Sequence, residues 1–434
     1  MHYGKLRETN HVIPGQTIIE ARRHIILPCL GTDGDVYPFL GLGRILRARG
    51  NRVTLASHEH FSDQAKSSDL EFLRLVSNDD TARLQHNRDF WHPIKGPIVI
   101  ARWGAPFVRW HYKVLSDLAK PNTLLVASPG VISARVVNET HGTPLVSILL
   151  QPWMLPSSSA PPAMMGFVTL PRWAPQPMGA AYWRLADVIF GWLVGREFEQ
   201  LRTSLSLKPV PRVYRWWLSP KRVIGLFPSW YGAPQPDWPS QLKLTGFPVN
   251  DIRTPGELPH DLLNFCRAGK PPIAFTFGTG MMHASTLFRN ATHACTLLDS
   301  AGIFLTKFRS HLPQALPSSI RHVEFAPFQQ LFPLCSVVVH HGGIGTVAKA
   351  LAAGTPQLIL PFAFDQLDNA IRVKQLGAGE WLPAKKRSPK DIAAALRRLV
   401  SPESQARARS VAARFESRSG LENAADEIEQ IAAV

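Results

Sequence analysis

The sequence predicts an α/β protein made of two Rossmann-like, doubly wound parallel-sheet domains facing each other across a cleft. Three observations carry this. The chain has 434 residues, about three times the usual domain length, which calls for at least two domains. Short apolar runs ending in glycine turns alternate with segments of helical period, the pattern of βαβ units. That alternation comes in two blocks, parted near residues 230–255 by the Pro-rich stretch Pro228–Pro259.

Residues 1–22 are polar and mixed in charge, without an apolar core. They are expected to form a poorly ordered extension rather than a secretory signal. The first domain is expected over 23–240. It opens with the strand-like run His24-Ile25-Ile26-Leu27-Pro28-Cys29, followed by the glycine turn Leu30–Asp35. A helix from Pro38 to Arg47 follows, with Gly50 just past its end, and then a strand at Arg52–Ser57. Strand-like runs recur at Leu124–Ser128 and Pro144–Leu149. From Gln151 to Met178 the chain is dense in Pro, Met and Trp without a period. A loop this long suits a pocket wall or lid, or else a surface connector.

The second domain is expected over 241–420. Its elements are a strand at Pro272–Phe277, the turn Gly278-Thr279-Gly280, a helix Ser285–Ser300 closed by Gly302, and a strand at Ile303–Lys307. Ser336–His341 is apolar on both faces, as a central parallel strand should be. After Gly342-Gly343-Ile344-Gly345-Thr346 a helix runs through Ala353, stopped by Gly354 with Pro356 beyond, and Gln357–Phe362 is the next strand. Residues 421–434, just after Gly420, read as a final amphipathic helix.

Composition narrows the function. Hydrophobic residues make up 45% and charged residues 18%, so the chain is not intrinsically disordered. Lys and Arg number 48 against 32 Asp and Glu, a formal charge of +16 that favours anionic partners. No nucleic-acid motif accompanies that charge. Cys29, Cys266, Cys295 and Cys335 lie far apart, which argues for buried reduced thiols rather than disulfides or a zinc knuckle. No apolar run reaches the roughly 18–20 residues that span a bilayer. A cytoplasmic protein is expected, with peripheral contact to an anionic membrane left open.

The strongest chemical signal is Val337-Val338-Val339-His340-His341-Gly342-Gly343-Ile344-Gly345-Thr346. A buried strand that runs through glycines into a helix start presents backbone N–H groups and a favourable dipole to an anion. Thr346 adds a hydroxyl and His341 a ring N–H, and the Gly-Lys-Ser/Thr of a Walker loop is missing. Gly278-Thr279-Gly280 lies at another strand's carboxyl end, where open α/β sheets bind ligands. About 20 residues after the phosphate-type turn stand Asp365 and Gln366, side by side and able to hydrogen-bond adjacent sugar hydroxyls. The same pair also suits a helix N-cap.

The stretch from Phe325-Ala326-Pro327-Phe328 through His340-His341-Gly342-Gly343-Ile344-Gly345-Thr346 to Asp365-Gln366-Leu367-Asp368-Asn369-Ala370 resembles the donor-binding signature of glycosyltransferase family 1. These are nucleotide-sugar transferases of the two-domain GT-B type, and the resemblance extends from about Arg23. The segments Gly225–Trp230, Pro236–Pro239 and Leu244–Pro248 are similar to the bacterial rhamnosyltransferase of rhamnolipid synthesis. The resemblance implies an inverting hexosyltransferase using a UDP- or dTDP-sugar. His341, Gly342, Gly343, Gly345 and Thr346 would hold the diphosphate, with Thr279 beside it. Phe325 and Pro327 would line the base, with Phe328 at a position tied to the choice of nucleotide. Asp365 and Gln366 would grip the sugar.

Inverting transfer needs a base for the acceptor hydroxyl. Gly31-Thr32-Asp33-Gly34-Asp35-Val36-Tyr37-Pro38 makes Asp35 the candidate, a residue also suited to N-cap the helix at Pro38. A free carboxylate near pKa 4 is a weak base, so its surroundings would have to raise it. Asp33-Gly34-Asp35 has a DxD form, yet in the first βα turn of an acceptor domain no metal is expected, and none as cofactor. The sequence His58-Glu59-His60 lacks the HExxH spacing and reads as a solvated loop. Trp153, Met154 and Phe167, with Trp91, Trp103, Trp110, Met164 and Met165, suit an apolar, lipid-like acceptor, or ordinary core packing. Two rival functions remain: a nucleotide-sugar epimerase on this fold, and a catalytically silent helper of a partner transferase.

Overall fold

The computed structural model describes residues 23–163, 169–170, 174–249, 257–278 and 284–432. The expected extension 1–22 and the site candidates Thr279 and Phe167 lie outside them, as do Met164 and Met165.

The chain forms two all-parallel sheets. The first joins β1 (His24–Pro28), β2 (Arg52–His58), β3 (Glu71–Val76), β4 (Thr123–Ala127), β5 (Leu145–Leu149), β6 (Arg222–Gly225) and β7 (Leu242–Leu244) in the order β3-β2-β1-β4-β5-β6-β7. The second joins β8 (Ile273–Thr276), β9 (Gly302–Leu305), β10 (Ile320–Val323), β11 (Val337–His340), β12 (Gln357–Ile359) and β13 (Gly379–Trp381) in the order β10-β9-β8-β11-β12-β13. Central strands such as β1 and β11 carry fully buried residues on both faces, Ile25, Ile26 and Leu27 in one and Val337, Val338 and Val339 in the other. Helices cover both sides, as continuous apolar strands require. Strand order reverses between β1 and β4, and again between β8 and β11. At such points adjacent connections diverge and leave a crevice at the strands' carboxyl ends.

Several boundaries differ from the sequence reading, each for a local reason. The first helix is Asp33–Ala48, starting five residues before Pro38 because Thr32 caps it. The helix Ser285–Leu298 ends on Asp299 at φ +47, ahead of Gly302, which is already the first residue of β9. The first sheet takes in Leu242–Leu244, beyond residue 240. After the turn Pro152–Met154 a helix of 29 residues, Gln176–Ser204, starts within the end of the stretch Gln151–Met178 read as a loop and runs well past it. All four cysteines are buried free thiols.

The two domains are joined by more than their linker. One apolar core runs from Leu27, Phe39 and Leu46 of the first to Ile344, Val347 and Val373 of the second. The last helix, Gly420–Ala432, packs against the helix Asp33–Ala48 of the first domain. Arg49 pairs with Asp426 and Glu429 at 2.8 Å each, and Arg222 with Glu427 at 2.6 Å. The two crossings between domains touch: a Cβ on Gly420 would lie 2.2 Å from the Gly246 carbonyl oxygen. No helix among the described residues is long and apolar enough to cross a membrane.

Candidate active site

The first wall of the cleft is the turn after β1. Gly31 adopts φ +140, and a Cβ there would stand 2.4 Å from Asp35 Oδ2, so glycine is what lets the turn close over the carboxylate. The Thr32 N–H and hydroxyl both donate to that same oxygen, at 2.8 and 3.0 Å. Asp35 is therefore the third residue of the helix, reaching back to its cap, rather than the cap itself. Burial raises its pKa above the ordinary carboxylate value, against the lowering effect of the Thr32 hydrogen bonds.

His58 holds this turn. Its Nε2 accepts the Gly31 N–H at 3.2 Å, and its Nδ1 meets the Thr81 hydroxyl at 2.9 Å. Burial, with His60 nearby, pushes its pKa down to about 3, so it is neutral. His58 is thus the buried last residue of β2, not part of a solvated loop. Its place at a strand's carboxyl end was the signal available in the sequence.

The second wall follows β11. His340 is buried, and Gly342 N–H donates to its Nδ1 at 3.1 Å while Nε2 meets Gln357 Oε1 at 2.9 Å. Gly342 has φ +98, with Ile359 Cγ2 and the Gln366 carbonyl within 3.0 Å of where a Cβ would be. Gly343 caps the helix Ile344–Ala352, so Gly345 and Thr346 fall in its first turn, which holds no acidic residue. The first N–H groups of such a helix have no partner inside it. The His341 ring is wedged between Gly278 and Gly343 and hydrogen-bonds the Thr276 backbone. Its Nδ1 is buried without a hydrogen-bond partner, and burial lowers its pKa to about 4. The ring nitrogen that stands beside the helix start is Nε2, the nearest His341 atom to where a Gly343 Cβ would be, and a ring N–H placed there fits an anion.

Asp365 and Gln366 begin the next helix, Gln366–Gln375, with Asp365 as its N-cap residue. Gln366 Oε1 accepts from the Phe362 and Ala363 N–H groups, at 2.7 and 3.2 Å. With that oxygen occupied, the amide NH2 is the group of Gln366 left to donate. Asn369 donates to Asp365 Oδ2 at 2.7 Å and to the Gly342 carbonyl at 2.9 Å, and receives the Tyr231 hydroxyl at 2.9 Å. Before them Phe364 sits at φ +57, its ring 6.0 Å from Phe90 and 5.8 Å from Trp91 of the first domain. A non-glycine residue held there costs of order 1 kcal/mol, and such strain gathers at functional sites.

The two walls act on each other electrostatically. The Asp365 pKa is pushed up to about 7, mainly by burial and next by the negative charge of Asp35. Two carboxylates from different domains thus share one cleft.

The remaining candidates divide. Phe325 is 39% exposed, and Pro327 is buried as the cap of the short helix Phe328–Leu331. Phe328 stacks on Phe332 at 4.4 Å and packs into the core. Trp153 is half-buried with its indole N–H unpaired, whereas Met154 packs against the core that joins the domains. Asp237 fixes the following loop through Ser157, at 2.7 Å, and Ser158. Among the described residues no cluster of His, Cys, Asp or Glu is arranged to hold a metal.

Residues 25–153 match the model of the glycosyltransferase family 28 N-terminal domain, and residues 298–430 that of the erythromycin biosynthesis protein CIII-like C-terminal domain. Sterol 3-beta-glucosyltransferase UGT80B1 of Arabidopsis thaliana is 26% identical over 425 residues, covering 93% of this chain and 67% of that protein. O-mycaminosyltylonolide 6-deoxyallosyltransferase of Streptomyces fradiae is 28% identical over 437 residues, 94% of this chain and 97% of that one. Fungal sterol glucosyltransferases are longer, and the chain spans 25% of the Candida albicans protein. Among solved structures, the calicheamicin glycosyltransferase CalG4 superposes with a TM-score of 0.70 at 22% identity, over 94% of this chain and 98% of that one. These relatives do not support the closer likeness to a rhamnosyltransferase. With two parallel-sheet domains in this arrangement, a glycosyltransferase family 28 domain model matched in the first and a CIII-like C-terminal domain model in the second, the chain is similar in fold to glycosyltransferases of the GT-B type.

Proposed function

We propose that the protein transfers a hexose or deoxyhexose from a UDP- or dTDP-sugar, with inversion, to a hydroxyl of a small apolar acceptor of the sterol or macrolide kind. The observation that carries this reading is the pair of unlike walls: a base-type carboxylate after β1 and an anion-type turn after β11, meeting in one cleft. Asp35 takes the acceptor proton as that oxygen attacks the anomeric carbon. Its raised pKa brings it nearer to what a general base needs. The leaving diphosphate develops charge against the helix start at Ile344 and the His341 ring, a preorganised site that requires no metal. Asp365 accepts from, and Gln366 donates to, hydroxyls of the sugar. Phe325 offers a face to the base, and Trp153 a wall to the acceptor. Acceptor classes among the relatives support the apolar reading; rhamnose stays one donor sugar to try.

The test is a thermal-shift panel of UDP, dTDP, GDP and ADP, followed by transfer assays with the matching sugars on sterol and macrolide aglycones. A nucleotide at 100 times its dissociation constant adds about 2.7 kcal/mol of stability. A shift with UDP or dTDP, then product that persists in excess chelator, is the expected result. Conversion of donor without acceptor would indicate an epimerase. Nucleotide binding without turnover on any acceptor would indicate a helper.

A further inference from the structure

The helix Gln176–Ser204 is apolar on both sides. Its inner side, with Phe190, Leu193, Val194, Phe198 and Leu201, packs on Ala105 and Val108. Its outer side leaves Met178 45%, Leu185 60%, Val188 68% and Trp192 75% exposed. Spacings of seven, three and four residues put these four on a single stripe, about 21 Å long at 1.5 Å per residue. Soluble proteins rarely leave such a stripe uncovered.

Charge selects what covers it. Arg196 continues the stripe past Trp192, and Arg184 flanks it; both are exposed. Asp187, the one acid between Met178 and Arg196, turns inward and accepts the Tyr214 N–H at 3.1 Å. From Met178 to Trp192 the outer stripe is therefore apolar with an exposed arginine at its flank and another at its end, the half-buried Glu197 and Glu199 following only past Arg196, on a chain of formal charge +16. Four side chains fall well short of the roughly 800 Å² per partner that a stable dimer buries. A planar anionic lipid surface needs no such area, since shallow burial of apolar side chains and attraction of nearby cations both contribute to binding.

We propose that the outer stripe of the helix Gln176–Ser204 is a docking surface for an anionic lipid bilayer, with Trp192, Val188 and Leu185 entering the headgroup region. The same helix is fastened to the loop that follows Trp153. The Trp183 indole donates to the Ser157 carbonyl at 2.9 Å, and Gly179 lies flush against Ser158. Docking thus sets that wall of the cleft at the level of the lipid. Only this last consequence rests on the acceptor reading; the surface itself does not.

The experiment is flotation of the full chain with vesicles of phosphatidylcholine alone or mixed with phosphatidylglycerol. The wild type is expected to float with the mixed vesicles and weakly with the neutral ones. Trp192→Glu with Val188→Glu lowers the floated fraction about 10-fold or more, and Arg184→Gln with Arg196→Gln removes the preference for phosphatidylglycerol. Unchanged melting curves and nucleotide-induced shifts show that the variants fold. Flotation of the Glu pair at wild-type level overturns the proposal, as does wild-type protein that floats with neither vesicle. A concentration-dependent dimer that the Glu pair dissolves also overturns it, in favour of a second copy on this face. Wild-type protein that floats with the mixed vesicles but transfers sugar to no acceptor counts against the transferase reading alone.

Discussion

The turn after β1 and the turn after β11 are built alike and charged oppositely. Each leaves a central strand, passes a glycine at positive φ and enters a helix, and each is fixed by a buried neutral histidine bonded to a glycine N–H. The first helix opens with Asp33 and Asp35, while the second opens with no acid at all. A helix start attracts anions by default. In the first domain that preference is satisfied internally, by the protein's own carboxylate, which on the proposed reading serves as the base. In the second it stays open for a ligand. One architecture is thus turned to two uses by the residues of a single turn.

Breaking either turn should separate the two uses. The largest effect is expected from Asp35→Asn, which keeps the Thr32 geometry and removes the base. Turnover should fall about 10²–10⁴-fold, while the nucleotide-induced melting shift is unchanged; single-turnover kinetics beside thermal shift would show both. Next is His341→Ala, which should weaken nucleoside diphosphate binding by about 10-fold, the worth of a hydrogen bond to a charged group. Calorimetric titration measures this, and the loss should shrink with a nucleoside lacking phosphates.

A smaller effect concerns pH. Asp365 has its pKa raised to about 7, against about 4 for an unfolded carboxylate. Between those values the folded chain holds a proton that the unfolded chain has released. This contribution to stability is therefore present at low pH and lost as pH rises through about 7. Asp365→Asn should flatten that part of the melting-temperature profile.

Much of the fold was legible because it is written locally. β1, β11 and their glycine turns are apolar runs followed by residues with few conformational alternatives, and His341, Gly342 and Asp365 follow from them. What escaped depends on partners distant in sequence. His58 was hidden because its role lies in Gly31, 27 residues away, and Thr81, 23 residues away. The clamp of Tyr231 on Asn369 spans 138 residues. No element was placed from the sequence over the helix Gln176–Ser204, whose apolar residues lie on both sides and so leave little helical period to read. Capping by Thr32 was readable in kind, yet Pro38 was the louder marker of a helix start.

The meeting of Gly246 and Gly420 has a mechanical consequence. Two covalent links pass between the domains, and they pass at backbone contact with no side chain between them. Two bodies pinned along one short line retain rotation about that line and lose most sliding. A change in the angle between the domains would turn about this contact, with the Asp35 and Asp365 walls as the rims, and would have to shear the apolar core that both domains share. A side chain at Gly420 would act as a wedge in the knuckle of a door.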